Sequence, residues 1–402
     1  MNFKELGIKE EIFDALTGMG ITEPTDIQVK VMPEIIKGLD IIGISKTGSG
    51  KTIGFGAPIM NVIKPGHGIQ ALIVVPVREL AEQVSTEIQK FAKTLNLKVI
   101  AVYGGVSLGP QTDNLRRAEM VVGTPGRLLD HLHRHSINLS KLKVIILDEA
   151  DKMATMGFID DVMEILNATP KTRQTLLFGA TISQDIAKIR DRYMKSPITI
   201  KTESHVNESL LNQYYYDIDI KEKFSLLVHL IKKEKPKLSM VFCSTRRNAE
   251  AVSKNLRMQN CDAHFIHGGL TQNTRLKMIE GFHKGRPEIL VATAVAARGL
   301  DIKGVTHIFN YDIPKDPEEY IHQIGRTARA GGSGSAITLL SNNDHGLFSA
   351  ILRKYPIKIT KLQKENFERL KFDSGRSYNR NTNNFSQNRR HPNNNRRKYY
   401  NA

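Results

Sequence analysis

The 402-residue chain has no tryptophan and only two cysteines, and its 58 lysines and arginines outnumber 41 acids. Cys243 and Cys261 stand apart with no Cys-x-x-Cys spacing. That excludes a disulfide framework or a cysteine zinc site and fits reduced thiols in a cytoplasmic chain. No apolar run approaches the roughly 20 residues of a spanning helix. The start, Met1-Asn2-Phe3-Lys4-Glu5, lacks the basic-then-apolar order of a signal peptide. We therefore expect no membrane partner. The shortage of acids leaves a net charge of +17, which points to a polyanion, and nucleic acid fits better than a membrane surface.

The length suits two or three domains with well-buried cores. Short apolar, β-branched runs recur at 40–44, 71–75, 98–103, 120–122, 144–147, 175–178 and 198–200. They are continuous rather than alternating, as in strands covered on both faces, and the segments between them are long enough for crossover helices. A second series follows at 212–218, 238–243, 263–266, 288–291, 307–310 and 335–340. The pattern predicts two α/β domains, 1–204 and 212–360, each a mainly parallel sheet flanked by helices. The polar stretch 205–211 is the expected linker, and residues 361–402 the expected basic tail. From Lys371 onward eight basic residues face one acid, Asp373, amid asparagine and scattered aromatics, a composition that cannot bury a core and reads as disordered. Such a tail offers charge and stacking surfaces to unpaired bases.

The clearest chemical signal is SKTGSGKT at 45–52, between an apolar run and a helix-like segment. Its glycines let backbone N–H groups wrap a phosphate, Lys51 reaches the β/γ-phosphates, and the Thr52 hydroxyl suits Mg²⁺. About a hundred residues on, the run 144–147 delivers Asp148-Glu149-Ala150-Asp151. An apolar strand ending in an acid is how such sites hold Mg²⁺, here through Asp148, with Glu149 placed to polarise water. His131 and His135 have the i, i+4 spacing of a metal pair but no accompanying acid, and read as part of a surface helix.

From Phe3 to about Leu340 these features together resemble the DEAD-box ATP-dependent RNA helicases of superfamily 2. The resemblance implies two tandem RecA-like domains and an RNA-stimulated ATPase using ATP and Mg²⁺. Residues 20–28 (GITEPTDIQ) are similar to the family's Q motif. By that likeness Gln28 reads the adenine edge, Phe3 stacks on the ring, and Thr25 joins the pocket with Thr47, Gly48, Ser49, Gly50, Lys51 and Thr52. Residues 292–302 (ATAVAARGLDI) resemble motif V, which implies nucleotide contacts for Gly299 and Asp301. Residues 322–329 (HQIGRTAR) resemble motif VI, whose last arginines, Arg326 and Arg329, would act as fingers on the γ-phosphate. Asp151, Gly179, Ala180, Thr181, Arg298 and His322 occupy the positions that couple hydrolysis to RNA.

The same likeness implies an RNA path. In the first domain it takes in Pro76, Arg78, Gly105, Thr124, Pro125, Gly126 and Arg127; in the second, Thr245, Gly268, Gln272, Arg275 and Thr293. Hydroxyls, glycine N–H groups and arginines just past strand ends grip sugar and phosphate and carry little sequence information. The chain departs from the family pattern at Ser45, Val77, Gly179, Ala294 and Gln323, where the family usually has Ala, Thr, Ser, Asp and Arg. The nucleotide chemistry is intact, and the coupling network is what these departures touch. A monomeric helicase core is the leading expectation. An ATP-gated RNA clamp with weak unwinding is the alternative, and a DNA translocase fits the motifs less well.

Overall fold

In this computed structural model, described for residues 2–45, 48–202, 211–297, 302, 304–328, 333–355 and 357–374, the two expected sheets are present. The first comprises β1 (Ile41–Ile44), β2 (Ala71–Val74), β3 (Val99–Val102), β4 (Met120–Gly123), β5 (Val144–Leu147), β6 (Gln174–Gly179) and β7 (Ile198–Lys201). The second comprises β8 (Leu211–Asp217), β9 (Ser239–Cys243), β10 (Ala263–Ile266), β11 (Ile289–Thr293), β12 (His307–Asn310), β13 (Gly334–Leu340) and β14 (Thr360–Lys361). The pairings within each sheet are parallel. Helices cover both faces, so β2, β4 and β5 are buried along their whole length, which is why these strands read as uninterrupted apolar runs.

The strand orders are β3-β4-β2-β5-β6-β1-β7 and β10-β11-β9-β12-β13-β8-β14. Each strand of the second sheet thus has a counterpart seven strands earlier, and the domains are topological copies. The copy places equivalent loops at equivalent strand ends, where open α/β sheets bind ligands.

Two expectations about boundaries change. Of the expected linker, 205–211, residues 205–210 lie outside the described residues, and Leu211 already belongs to β8. The expected tail boundary at 361 is too early. Thr360 and Lys361 form β14 against Tyr214 and Tyr215 of β8. Beyond them Leu362, Phe367, Leu370 and Phe372 pack on the apolar cluster of Phe224, Leu227 and Val241. Polar anchors reinforce this strap. Glu365 meets Lys233 at 2.6 Å and Tyr216 at 3.2 Å, and Glu222 takes Lys364 and Arg369, each at 2.7 Å. At the end of the strap, Asn255 exchanges hydrogen bonds with the Asp373 backbone. A chain ending after residue 374 should therefore keep the second domain's melting temperature. One ending at 360 should lose about 3 kcal/mol from four half-buried apolar side chains, a fall of about 6–12 °C by calorimetry. Equal melting of the two truncations would show that the strap adds nothing.

Candidate active site and nucleic-acid interface

The phosphate loop leaves β1 and enters the helix Lys51–Ile59 through Gly48 and Gly50, both left-handed at φ 81° and 88°. Gly50 is obligatory on a second count, since a methyl there would sit 2.5 Å from the Gln28 amide nitrogen. Ser45, the departure at the loop's start, accepts a hydrogen bond from the Ser49 hydroxyl at 3.1 Å. Its backbone N–H donates to the Gly179 carbonyl at 3.0 Å, tying the loop to the end of β6. Lys51 is buried, with Nζ 3.4 Å from the Ser45 carbonyl and 3.8 Å from Asp148. Thr52 is the next helical residue and half-buried.

Asp148 and Glu149 follow β5 directly and are each 3% exposed. Burial pushes Asp148 up to about 6 against the pull of Lys51. Burial acts the same way on Glu149, but Lys152 and Lys51, with help from Arg326, outweigh it and hold that carboxyl down at about 2. Lys152, itself buried, lies 2.6 Å from Glu149. Glu149 has a left-handed backbone (φ 53°), uncommon outside glycine, which turns the chain from strand into helix and presents the side chain at the sheet edge.

Arg326 is buried in the second domain, where its charge acts on His322, and is near enough to the first for its charge to act on Glu149. Burial, aided by Lys152, lowers His322 to about 4, so the imidazole is neutral at physiological pH. It lies with Glu318 and Asp151 in a cluster whose ligand atoms are within 4.8 Å of one another. Thr181 bridges the domains, donating to Glu318 at 3.3 Å. Asp151 also accepts the backbone N–H groups of Ala180 and Thr181 at 2.9 and 3.3 Å, so one carboxylate organises Gly179-Ala180-Thr181. Thr47, Arg298, Gly299, Asp301 and Arg329 lie outside the described residues.

Several expected contacts take a different form. Phe3 is fully buried in the first domain's core, in the cluster that holds Leu6, Ile12 and Ile35. An aromatic ring in this segment gains more from the core than from the surface. The Gln28 amide is 2% exposed and committed at both ends, accepting from Thr25 N–H at 2.9 Å and donating to Gly50 O at 2.9 Å. Thr25 adds a bond to Ser49 O at 2.8 Å. Thr25 and Gln28 are thus bonded directly to the phosphate loop.

On the nucleic-acid side, Pro76 and Arg78 lie just past β2, Gly105 past β3, and Thr124, Pro125 and Gly126 past β4. Thr245 and Gly268 follow β9 and β10, and Thr293 ends β11. Three expected RNA contacts are turned inward. Arg127 donates to Gln111 and to Val106 O, both at 3.1 Å, and so shapes the neighbouring loop. Gln272 and Arg275 both reach Glu79 of the first domain, at 2.9 and 3.1 Å. Glu79, 2% exposed, is a site residue that the motif reading missed, although an acid in the first turn after a buried strand was there to be questioned. Glu318 and Asp312 were missed because their partners, Thr181, Ser244 and Asn248, are distant in sequence; Lys152 was missed although Glu149, three residues back, is local. His131 is accounted for by Ser136 at 2.7 Å and Gln111 at 3.3 Å, and is buried rather than on a surface helix.

A strand-edge phosphate loop, a strand-end acid and an arginine arriving from a second copy of the same fold define a two-domain nucleotide hydrolase assembled by domain closure. Residues 25–189 match the DEAD/DEAH box helicase family model and residues 222–331 the helicase conserved C-terminal domain. The chain belongs to the DEAD-box family of ATP-dependent RNA helicases. ATP-dependent RNA helicase CshA of Listeria monocytogenes is 45% identical over 347 residues, covering 86% of this chain and 67% of that protein. S. cerevisiae Dbp5 bound to RNA and ADP BeF3 is 30% identical and superposes with a TM-score of 0.82 over 90% of this chain and 95% of the other. A DEAD box protein from Methanococcus jannaschii is 40% identical over 90% of this chain and 99% of its own, with a TM-score of 0.55.

Gly179 is where geometry bears on coupling. A methyl there would lie 3.2 Å from Asp151 Oδ1, close enough that Asp151 must yield by a few tenths of an ångström. A serine hydroxyl at this position would be a fourth donor to a carboxylate that already holds Ala180, Thr181 and the Lys152 N–H. Gly179→Ser should therefore raise the RNA duplex unwound per ATP consumed, and Gly179→Ala, with the same crowding and no donor, should not. Equal behaviour of the two variants would show that the hydroxyl is not limiting.

Proposed function

We propose that this helicase is an RNA-stimulated ATPase that opens short duplexes locally or displaces proteins from RNA. The observation that carries the reading is the cross-domain seat of Gln272 and Arg275 on Glu79. Those residues stand beside the strand-end loops expected to hold RNA, while Arg326 approaches Glu149 from the same second domain. RNA laid across both domains and ATP in the cleft then favour one closed arrangement, and each raises the affinity for the other. In Dbp5, bound RNA and ADP BeF3 accompany a closely similar arrangement.

Roles follow from position. Lys51 and the backbone of residues 47–52 cradle phosphates, Glu149 orients the attacking water, and Arg326 with Arg329 neutralises charge on the transferred phosphoryl group. Thr52 and Asp148 fit Mg²⁺, because a hydroxyl and a carboxylate are hard oxygen donors. Asp148, pushed up to about 6 despite Lys51, is also a buried acid whose negative charge is under-compensated by protein alone. That ion would supply charge neutralisation at the phosphates. The grip on RNA is through sugar and phosphate, with little sequence preference. We place the chain in the cytoplasm as a monomeric core; both thiols are free, and no helix among the described residues is long and apolar enough to cross a membrane.

The test is steady-state ATP turnover with and without RNA, beside unwinding of a short RNA duplex. RNA-stimulated turnover with unwinding supports the proposal. ATP-dependent RNA retention without unwinding replaces it by a clamp, and stimulation by DNA alone overturns both.

A further inference from the structure

One charged side chain in the nucleotide cleft belongs to none of the motifs. Lys152 directly follows Asp148-Glu149-Ala150-Asp151, on the short helix Ala150–Thr155, which packs against β6 and the helix Gln184–Tyr193. Its side chain is 6% exposed, and its Nζ lies 2.6 Å from Glu149 Oε2. Lysine is almost never buried this deeply unless it is paired. Asp151 is also close enough for its charge to act on Lys152, but that carboxylate already accepts the N–H groups of Lys152, Ala180 and Thr181. Glu149 is the acid with which Lys152 forms an ion pair among the described residues.

Stability does not account for this pair. Elsewhere the same i, i+3 spacing joins Lys188 to Asp185 and Arg116 to Asp113, and both pairs lie at the surface, where the charges keep their water. Lys152 and Glu149 have given theirs up. A buried ion pair returns little or no net stability over well-packed apolar residues of similar volume, so the fold alone gives a methionine at 152 no disadvantage.

What the pair does supply is direction. Glutamate is a flexible side chain, and a group that works on a water proton must come within hydrogen-bond reach of it. Holding one carboxylate oxygen on a buried ammonium removes most of that freedom and fixes where the other oxygen lies. The left-handed backbone of Glu149 (φ 53°) aims the root of the side chain, and Lys152 aims its tip. Arg326 acts on the same carboxylate from the second domain, so its contribution depends on closure. That of Lys152 does not, because both partners belong to the first domain and stand three residues apart.

We propose that Lys152 is a positioning residue for hydrolysis, holding Glu149 by one carboxylate oxygen so that the other is aimed at the attacking water. It acts through Glu149 and not on the phosphates. This rests on the water-orienting role given to Glu149 above and deepens it.

The test is ATP turnover of the full chain with Mg²⁺ and saturating RNA, with kcat and the KM for ATP taken separately. Lys152→Met, apolar and of similar length, should lower kcat roughly tenfold or more, since a misplacement of about 1 Å can cost a hundredfold. The KM for ATP should stay within about twofold, as expected of a group that acts only in the transition state. Lys152→Arg, which keeps a cation beside the carboxylate, should recover part of kcat. Lys188→Ala, which breaks an exposed pair of the same spacing, should change neither. With Glu149→Gln already present, Lys152→Met should cost no further turnover by single-turnover hydrolysis. It should also raise the melting temperature of that variant, because the ammonium no longer has an anion to meet. If Lys152→Met does not fold, Lys152→Gln takes its place with the same expectations. A wild-type kcat for the variant, a loss confined to KM, or an equal loss in both backgrounds overturns the inference and leaves Glu149 in its role. Near-normal turnover by Glu149→Gln itself removes that role, and this inference falls with it.

Discussion

Glu149→Gln should lower ATP turnover by about a hundredfold or more, the usual worth of a positioned general base, while leaving the chain able to hold RNA in the presence of ATP. The carboxylate is buried and held down at about 2 because Lys152, Lys51 and Arg326 outweigh burial, so at neutral pH it is an anion aimed by its surroundings. Glutamine keeps the shape and loses the charge that orients water. It also leaves Lys152, 2.6 Å away, as a buried cation without its anion. Removing one partner of a buried pair typically costs about 3–5 kcal/mol of stability, so a lower melting temperature should accompany the kinetic loss. Single-turnover hydrolysis and RNA retention, measured on the same preparation, check this. Near-normal turnover would move the water-orienting role elsewhere.

Arg326→Ala should cost about a thousandfold in RNA-stimulated turnover, the lower range for a lost arginine finger. Arg326 belongs to the second domain yet acts electrostatically on Glu149 of the first, so its effect depends on closure. ATP affinity in the absence of RNA should change far less, since Lys51, the glycine loop and Asp148 all lie in the first domain. Arg326→Lys should recover little, because an ammonium cannot bridge two phosphate oxygens as a guanidinium does. ATP affinity by fluorescent-analogue titration, set against turnover with saturating RNA, separates the two effects. Parallel loss of both would make Arg326 a general binding residue rather than a finger.

The parallel sheets were legible because covered strands need continuous apolar runs, and thirteen of the fourteen strands were predicted near their observed positions. The phosphate loop and Asp148-Glu149 were legible because their chemistry is local: glycines that permit a left-handed turn, and an acid directly after a strand. β14 was not, since two exposed residues carry no apolar pattern and their pairing with Tyr214 and Tyr215 depends on a strand more than a hundred residues earlier. Gln28, Gln272, Arg275 and Arg127 were recognised by position, but a motif does not say whether a side chain reaches a ligand or another part of the protein.

The sequence by itself therefore determined the two α/β domains, the family whose motifs imply nucleotide chemistry at Lys51, Asp148 and Glu149, and the polyanionic partner implied by a charge of +17. Periodicity, glycine placement and net charge are properties of the chain read along its length. Only the tertiary structure decided that Glu79 meets Gln272 and Arg275 across the domains, that Phe3 lies in the core, and that Asp151 organises Gly179-Ala180-Thr181. Those facts depend on which strand ends the fold brings side by side. Burial and the competition for hydrogen-bond partners then settle what each side chain is free to do.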